Sequence, residues 1–330
     1  MKIARVSAIA AVLVSVASLV SAQTLSTLNP DQARQRAAKT WQERYTDLDG
    51  RKVHYLEAGS GVPLVLVHGG LLWECAEANY WAVIPALAAR YHVYAVDLPG
   101  WGFTPALGPQ EYFPTAHGQF VIRFMKALGL KAHLIGNSRA GWIVQYVAHE
   151  APDLVRSLVI INSGSGWQIL PSDAPAPRSR DNVEPPTIES VRQTLQRFYF
   201  NKQFVTDAWV KRVHEISARN HAFDAGRTKA GGTTGADRNR MLEYHGKHMA
   251  LSAGELNVPV LMTLSREDNP ASHPDALTFY KRLKSGELHM FAHSGHHVQI
   301  EQSDRWAAVV LDFLSAHFPQ SGTPSSQHGY

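Results

Sequence analysis

The sequence predicts an α/β fold, a doubly wound and mostly parallel sheet that is interrupted by a helical insertion. From residue 45 onwards, short and almost wholly apolar segments alternate with helical ones, as in a parallel sheet covered by helices on both faces. The alternation stops after Ser163 and resumes at Val258. The 330 residues, 45% of them hydrophobic and 18% charged, suffice for one large core and an inserted subdomain.

The individual elements follow from local patterns. Asn29 and Pro30 open a polar stretch rich in Ala, Arg and Gln, which predicts a helix to about Glu43. The turn at residues 48–50 joins the first two strands. The predicted strands are residues 45–47, 52–58, 63–68, 92–97, 133–137, 157–162, 258–264 and 287–291. The other predicted core helices are residues 80–90, 114–128, 142–150, 274–284 and 304–317.

Composition divides the chain into six segments. Residues 1–22 combine a basic start, an apolar run shorter than the ~20 residues that span a bilayer, and a Val-Ser-Ala ending, which is typical of a signal peptide. The following segments are an N-terminal helical extension (23–44), the first part of the core (45–165), a helical cap (166–250), the second part of the core (251–318) and a disordered tail (319–330). Within the cap, residues 171–186 predict a hinge or mobile loop, and residues 226–235 a flexible break between helices.

The predicted export and the charge restrict location and partners. We expect a periplasmic or secreted protein, without stable membrane insertion after signal cleavage. Its single cysteine, Cys75, leaves no internal disulfide. Removal of Lys2 and Arg5 lowers the formal net charge from +4 to +2, and the remaining basic residues are scattered, so no nucleic-acid partner is indicated. We expect a small-molecule substrate, and an oligomer is compatible with the sequence.

Residues 133–141 predict a nucleophile. An apolar strand ends just before Ser138, and helix-forming residues follow it. Gly136 and Ala140 place small residues on both sides, as the tight strand–turn–helix of a nucleophile elbow requires. On these residues alone, an ordinary strand–helix turn is the alternative. In an elbow the hydroxyl of Ser138 stands clear of the sheet, and the backbone N–H of Arg139 points into the same space.

A serine hydroxyl becomes a nucleophile only when a base accepts its proton and a third group orients that base. Asp268 follows the strand at 258–264, and its neighbour Glu267 is a competing acid. His296 follows the strand at 287–291 and comes directly after the loop glycine, whereas its rivals His293 and His297 do not. Serine, acid and histidine all follow predicted strands, so we expect them at one edge of the sheet.

Two further features complete the predicted site. An oxyanion hole needs two N–H donors, and we assign these to Arg139 and to Gly70 of the His-Gly-Gly segment after the strand at 63–68. The four histidines between residues 289 and 297 could bind a metal, but no acidic or thiol ligand set at zinc spacing accompanies them. We therefore predict neither a metal nor a cofactor.

With these motifs the chain resembles the α/β-hydrolase superfamily over residues 45–318. The resemblance implies the α/β-hydrolase fold and a triad in the chain order Ser138, Asp268, His296. Within the superfamily the chain is most similar to the meta-cleavage product hydrolases, which break a C–C bond in 2-hydroxy-6-oxo-dienoates, and its Gly-Asn-Ser at 136–138 matches theirs. This resemblance implies substrate-binding roles for Asn79, Asn137, Phe198, Arg212 and His297.

The chain departs from that family in ways that concern the substrate more than the triad. Leu-Leu-Trp-Glu at residues 71–74 replaces the family's Gly-Pro-Gly-Ala. Arg212 lies one residue short of the usual spacing of the cap arginine that binds the substrate carboxylate, so a solvated helix residue is the alternative. His297 stands where an aromatic residue often follows the catalytic histidine, and Ala140 replaces a glycine.

The sequence therefore predicts a secreted, cofactor-free serine hydrolase that resembles C–C bond hydrolases. A carboxylesterase or lactonase is the alternative, because the same groups attack esters and lactones. A catalytically silent α/β-hydrolase that binds a ligand is a third candidate, and the complete order of serine, acid and histidine argues against it. Dehalogenase and epoxide hydrolase chemistry is disfavoured, because those relatives use an aspartate where Ser138 stands.

Overall fold

The computed structural model describes residues 28–106, 108, 111, 114–163, 184–229, 256–268 and 275–318. In these residues an eight-stranded sheet has the order β1-β2-β4-β3-β5-β6-β7-β8. Strand β2 is antiparallel to β1 and β4, and every later pair is parallel. The strands are β1 (Gln42–Leu48), β2 (Arg51–Ala58), β3 (Pro63–Val67), β4 (His92–Val96), β5 (Ala132–Asn137), β6 (Val155–Ile161), β7 (Val260–Ser265) and β8 (Gly286–Phe291).

Helices cover both faces of the sheet, as a doubly wound fold requires. One face packs Phe124, Trp142 and Phe279 against the strands, and the other face packs Ile84 and Trp306. The helices are α1 (Pro30–Ala37), α2 (Ala76–Tyr80), α3 (Ile84–Ala88), α4 (Pro114–Ala127), α5 (Arg139–Glu150), α6 (Ile188–Phe198), α7 (Asp207–Lys229), α8 (Ala276–Arg282), α9 (Val298–Glu301) and α10 (Ser303–His317). No described helix combines the length and apolar character needed to cross a membrane.

The central strands bring their carboxyl ends to one edge of the sheet. Strands β5 and β7 are buried along their whole length, which explains their mostly apolar sequences. The register sets Val67 of β3 beside Gly136 of β5, and Asn137 of β5 beside Ile161 of β6. The loops after these strands therefore start next to one another, and they carry the residues that the sequence predicts for the site.

The inserted helices form a separate apolar cluster with α1 and the segment around α2. This cluster contains Trp73 and Trp81 from the core segment, Leu195 from α6 and Trp209 from α7. Helix α6 begins with a capping box, in which Thr187 accepts a hydrogen bond from the N–H of Ser190 at 3.1 Å. The predicted helical character of this insertion thus holds for residues 188–198 and 207–229.

Several predicted boundaries are wrong for local reasons. The helix expected up to Glu43 ends at Ala37, because residues 42–48 pair with β2 as strand β1. The helix expected at 80–90 is two short helices, since Pro85 near the start of α3 favours a new helix there. Helix α9, directly after His297, was not predicted.

The predicted flexible break at residues 226–235 is wrong at its start, because α7 continues to Lys229. Residues 230–235 lie outside the described residues. The predicted signal peptide at 1–22, the mobile loop over residues 171–183 and the tail at 319–330 also lie outside them.

Candidate active site

Ser138 occupies a strained turn between β5 and α5. Its backbone has φ 55° and ψ −124°, a region that residues with a side chain rarely adopt. The turn is held by the N–H of Ser138, which donates to Ile161 O at 2.8 Å, and by the N–H of Gly141, which donates to Ser138 O at 3.0 Å. The side chain remains half-buried while its neighbours in β5 are buried. A serine oxygen placed in this way is presented at the sheet edge.

The tightness of the turn explains the small residues around Ser138. A Cβ atom added to Gly136 would lie less than 3.0 Å from the carbonyl oxygen of Ala140. A Cβ atom on Gly141 would come equally close to Ser163 and to Ile160 of the adjacent strand. Strand and helix can therefore meet at this angle only where side chains are absent.

His296 is oriented by Asp268. Its Nδ1 lies 2.9 Å from Oδ2 and 3.0 Å from Oδ1 of Asp268, and both side chains are buried. Burial lowers the pKa of His296, but the hydrogen bond and charge of Asp268 outweigh burial, so the pKa is raised above its ordinary value. Because Nδ1 faces the carboxylate, Nε2 is the nitrogen left to act as a base.

The rival acid and the rival histidines are directed elsewhere. Glu267 binds Arg266 through Oε1, and its Oε2 accepts a hydrogen bond from the N–H of Ser294 at 3.2 Å. His293 is exposed and lies 5.8 Å from the ring of Phe200, measured between centroids. His297 is fully buried and faces Trp73, with ring centroids 4.7 Å apart.

Backbone contacts hold the His296 loop next to the elbow. Asn162, which follows β6, donates from Nδ2 to His296 O at 3.1 Å. Asn137, the residue before Ser138, donates to the same oxygen at 3.5 Å and to Ile161 O at 3.3 Å. Asn137 is fully buried, so its amide nitrogen already serves the framework of the site. These contacts hold the backbone of His296 against Asn137, the residue that precedes Ser138.

The inserted helices also contact this loop. The N–H of His296 donates to Phe198 O at 2.8 Å, and the two rings lie 5.4 Å apart. A Cβ atom on Gly295 would collide with the same carbonyl oxygen. Glu301 of α9 accepts from the N–H of Gly295 at 2.7 Å and from the N–H of Asn201 at 2.7 Å. The C-terminal end of α6 therefore packs against His296 and is held there by hydrogen bonds.

The predicted oxyanion loop lies against the elbow. The Arg139 guanidinium stacks 4.7 Å from the ring centroid of Trp101. It also fills the space that a side chain on Gly70 would need, since an added Cβ atom would lie 2.5 Å from Arg139 Nε. The loop begins at His68, whose Nε2 accepts from the N–H of Leu98 at 3.0 Å and whose pKa burial lowers to about 4. Gly70 therefore lies against the side chain of Arg139.

Arg212 does not stand free in the site. Its Nη2 binds Glu77 of α2, and its Nη1 lies 3.4 Å from Glu215 of its own helix. The hydrogen bond to Glu77 raises the pKa of Arg212 more than burial lowers it, so the guanidinium stays charged and paired. The contacts of Arg212 therefore argue against the predicted carboxylate clamp and also against a freely solvated residue.

Sequence reasoning missed two acids near His296, one of them fully and the other partly buried. Glu74 is fully buried, and its Oε2 accepts from the N–H of Leu71 at 2.6 Å. Glu301 is partly buried, and burial raises its pKa to about 7. In the sequence, Glu74 is distinguished only by its position in the segment that departs from the related family. Asn79, also fully buried, lies on α2 beside Glu74, and its backbone oxygen accepts from Gln299 at 3.2 Å.

The described residues contain no group of three or more His, Cys, Asp or Glu side chains that could hold a metal ion. The histidines between residues 289 and 297 are instead separated by their packing. His289 lies on β8 against Phe291, with ring centroids 4.4 Å apart, whereas the rings of His296 and His297 meet edge-on with centroids 5.1 Å apart.

Comparison with known proteins places the chain in a family. The family model for the alpha/beta hydrolase fold matches residues 62–303. The 2-hydroxy-6-oxo-6-phenylhexa-2,4-dienoate hydrolase of Comamonas testosteroni is 26% identical over 279 residues, covering 81% of this chain and 93% of that protein. The 2-hydroxy-6-oxononadienedioate/2-hydroxy-6-oxononatrienedioate hydrolase 1 of Dechloromonas aromatica (strain RCB) is 27% identical, covering 82% and 92%.

Comparison with solved structures leads to the same family. A mutant of the meta-cleavage product hydrolase CumD, from Pseudomonas fluorescens IP01, superposes with a TM-score of 0.69 at 26% identity, covering 82% of this chain and 97% of that chain. A putative lipase from Acinetobacter baumannii AYE shares the fold with a TM-score of 0.70 at 18% identity, covering 88% and 97%. The relatives are named hydrolases, which confirms the predicted enzyme class, and the chain belongs to the α/β-hydrolase fold family.

Proposed function

We propose that the chain is a serine hydrolase in which Ser138, His296 and Asp268 form a catalytic triad. The observation that carries this proposal is the contact between His296 Nδ1 and both oxygens of Asp268, at 2.9 and 3.0 Å. This contact orients the imidazole with Nε2 available as a base. Ser138 supports the proposal by its position on a strained turn beside the His296 loop.

The proposed reaction uses these side chains and water. The Oγ of Ser138 attacks a carbonyl carbon while His296 Nε2 takes the hydroxyl proton. The tetrahedral intermediate collapses to an acyl-enzyme, and the protonated His296 gives its proton to the leaving atom. Water then loses a proton to His296 and attacks the acyl carbon, which releases the acid and restores Ser138. We assign the N–H groups of Gly70 and Arg139 to the oxyanion in both halves of the reaction.

For the substrate we propose a C–C bond next to a carbonyl group, as in 2-hydroxy-6-oxo-dienoates. The relatives named for such dienoates cover four fifths of this chain, which supports this class. The ring of Phe198, 5.4 Å from that of His296, offers an apolar wall beside the reacting carbonyl group. In this version of the reaction, the leaving atom that accepts the proton from His296 is a carbon.

Small esters or lactones are the second candidate, and one observation favours them. Arg212 is paired with Glu77, so it has no uncompensated charge to offer to the carboxylate of a dienoate. An ester or lactone needs the triad and the oxyanion donors but no such clamp.

A substrate comparison with one matched variant tests the proposal. We would measure kcat/KM of the wild-type protein and of Ser138→Ala with a 2-hydroxy-6-oxo-6-phenyl-dienoate, p-nitrophenyl butyrate and a small lactone. Loss of a triad member costs ~10⁴-fold or more in rate. We expect at least one substrate to be turned over in a Ser138-dependent manner, and the ranking of the three identifies the bond type. Turnover that survives in Ser138→Ala would exclude the triad.

We further propose that the protein is exported and that residues 1–22 are removed. The basic, apolar and small-residue pattern of these residues supports export. The N-terminal sequence of the protein recovered from a bacterial periplasm tests it. Gln23 as the first residue is expected, and an intact N-terminus in the cytoplasm would contradict export.

A further inference from the structure

A buried polar cluster next to His296 has no part in the proposed reaction. Its members are Glu74 and Asn79, from the segment after the oxyanion loop, and His297, the residue that follows His296. None of the three side chains is exposed. Glu74 Oε1, His297 Nε2 and both polar side-chain atoms of Asn79 make no hydrogen bond within the described residues. Buried polar atoms without a partner are rare in folded proteins, so each of them needs an explanation.

The two oxygens of Glu74 differ in their contacts. Oε2 accepts a hydrogen bond from the N–H of Leu71 at 2.6 Å, and the carboxylate packs against Gly69, where an added Cβ atom would collide with it. Oε1 makes no hydrogen bond within the described residues. Burial raises the pKa of Glu74, and the charge of His296, the Leu71 N–H and the neighbouring Asn79 amide oppose that rise. One face of Glu74 therefore shapes the oxyanion loop, and the other face presents an acceptor.

His297 presents the complementary donor. Its Nδ1 lies 3.5 Å from Nε2 of Gln299, an amide nitrogen that can only donate, so Nδ1 is the acceptor and Nε2 carries the hydrogen of the neutral ring. Burial lowers the pKa of His297 well below its ordinary value, and the charge of His296 adds to this effect. The donor Nε2 lies 4.0 Å from Glu74 Oε1, too far for a direct hydrogen bond.

We propose that Glu74 and His297 bind a hydroxyl group of the substrate next to the reacting carbonyl. A hydroxyl oxygen placed between them can accept from His297 Nε2 and donate to Glu74 Oε1, which satisfies both buried atoms. The ring of His297 meets that of His296 edge-on, with centroids 5.1 Å apart, so a hydroxyl bound there would lie close to the proposed catalytic base.

The same geometry selects against a carboxylate at this position. A carboxylate offers only acceptors, so it could bond His297 but would oppose the acceptor Glu74 Oε1 inside a buried space. The pair therefore favours an acyl compound with an uncharged hydroxyl group near its carbonyl. This agrees with the second candidate class, esters and lactones, rather than with a 2-hydroxy-6-oxo-dienoate, whose hydroxyl lies beside its carboxylate. This inference rests on the proposed function, because it assumes that Ser138 attacks a carbonyl group there.

Three p-nitrophenyl esters with similar acyl chains test the inference. They are p-nitrophenyl butyrate, p-nitrophenyl 3-hydroxybutyrate, which adds a hydroxyl group at C3, and mono-p-nitrophenyl succinate, which has a carboxylate in place of the terminal methyl group. We expect the wild-type protein to hydrolyse the hydroxybutyrate with the highest kcat/KM, then the butyrate, then the succinate, with steps of about tenfold, as for one buried hydrogen bond. Equal values for the hydroxylated and plain butyrates would overturn the inference, even when all hydrolysis depends on Ser138.

Two variants assign the selectivity to the two residues. Glu74→Gln keeps an oxygen that can accept from Leu71, and we expect it to reduce both the hydroxyl preference and the carboxylate penalty. His297→Phe keeps a ring against Trp73, and we expect it to remove the hydroxyl preference while the carboxylate penalty stays. Unchanged selectivity in both variants would show that the polar space holds water only.

Glu301→Gln is the matched control. Glu301 is another acid whose charge acts on His296, but it binds Gly295 and Asn201 instead of facing His297. We expect this variant to change kcat/KM of all three esters by one common factor. If Glu301→Gln lost as much hydroxyl preference as Glu74→Gln, the selectivity would come from negative charge near His296. That result would contradict a hydroxyl-binding site.

A binding measurement makes the test independent of turnover. Ser138→Ala protein is heated with methyl 3-hydroxybutyrate or methyl butyrate at equal concentration. The hydroxylated ester should raise Tm more than the plain ester, and the difference should vanish when Glu74→Gln is added. Identical Tm shifts in the Ser138→Ala protein would contradict the inference. Absence of any hydrolysis would count against the proposed function alone.

Discussion

At the residue scale, Ser138 combines a reactive position with an unfavourable backbone. Its φ of 55° with ψ of −124° lies where glycine is tolerated and a side chain costs about 1–3 kcal/mol. We therefore expect the free energy of unfolding of Ser138→Gly to be about 1 kcal/mol higher than that of Ser138→Ala, although both variants lack the hydroxyl. Urea denaturation of the two purified variants measures the difference. If Ser138→Gly is the less stable, the turn does not store this strain.

The acid partner of His296 determines the pH dependence. Because the pKa of His296 is raised above 6.5, the base is neutral only at higher pH, so kcat/KM should increase as pH rises through the raised pKa. In Asp268→Asn the main raising contact is lost, so the rise should move to lower pH while the plateau falls about 10³–10⁴-fold. Glu267→Gln, which changes the acid paired with Arg266, should leave the profile in place. The reverse ranking of the two variants would make Glu267 the triad acid.

At the element scale, the contact between β5 and α5 depends on Gly136. A side chain there would meet the backbone of Ala140, which cannot move away without displacing the helix. We expect Gly136→Ala to lower the free energy of unfolding by about 3 kcal/mol. Gly50→Ala is the matched control, because Gly50 has a positive φ of 77° but no atom near the added Cβ, and about 1 kcal/mol should be lost there. Equal losses measured by urea denaturation would show that the elbow can relax.

The central elements were predictable because burial on both faces produces one unambiguous pattern. Strand β3 is apolar throughout and β5 and β6 are mostly apolar, so their positions and the residues that follow them could be deduced. Strand β1 was assigned too short, because the burial pattern of Gln42–Leu48 is mostly exposed and its polar sequence resembles a helix surface. Its pairing with β2 is a tertiary contact that local sequence does not encode.

Within the candidate site, chain order could predict which residues meet but not what their side chains contact. Asp268 and His296 were deducible from their places after strands. The pairing of Arg212 with Glu77 was not deducible, since these residues lie 135 positions apart. For Glu74, sequence gave a departure from a related family, and only the packing against Gly69 and His297 shows that this acid turns inward.

At the scale of the whole molecule, Arg212 joins the inserted helices to the core. It reaches from α7 to Glu77 on α2, with 26% and 19% of the two side chains exposed. We expect Arg212→Ala to lower the free energy of unfolding by about 1 kcal/mol, as does Glu77→Gln, with little further loss in the double variant. Both single variants should change kcat/KM for p-nitrophenyl butyrate and mono-p-nitrophenyl succinate by the same factor. A selective loss for the succinate ester in Arg212→Ala would restore the carboxylate clamp.

The central claim is that Ser138 is the nucleophile and that His296 activates it. A fluorophosphonate probe, followed by mass spectrometry of the digested protein, tests this most directly, because the probe bonds only to an activated serine. We expect one adduct on Ser138 in the wild-type protein, none in Ser138→Ala, and labelling slowed by at least about 10³-fold in His296→Ala. An adduct on another serine, or equal labelling of Ser138 in the wild-type and His296→Ala proteins, would contradict the triad.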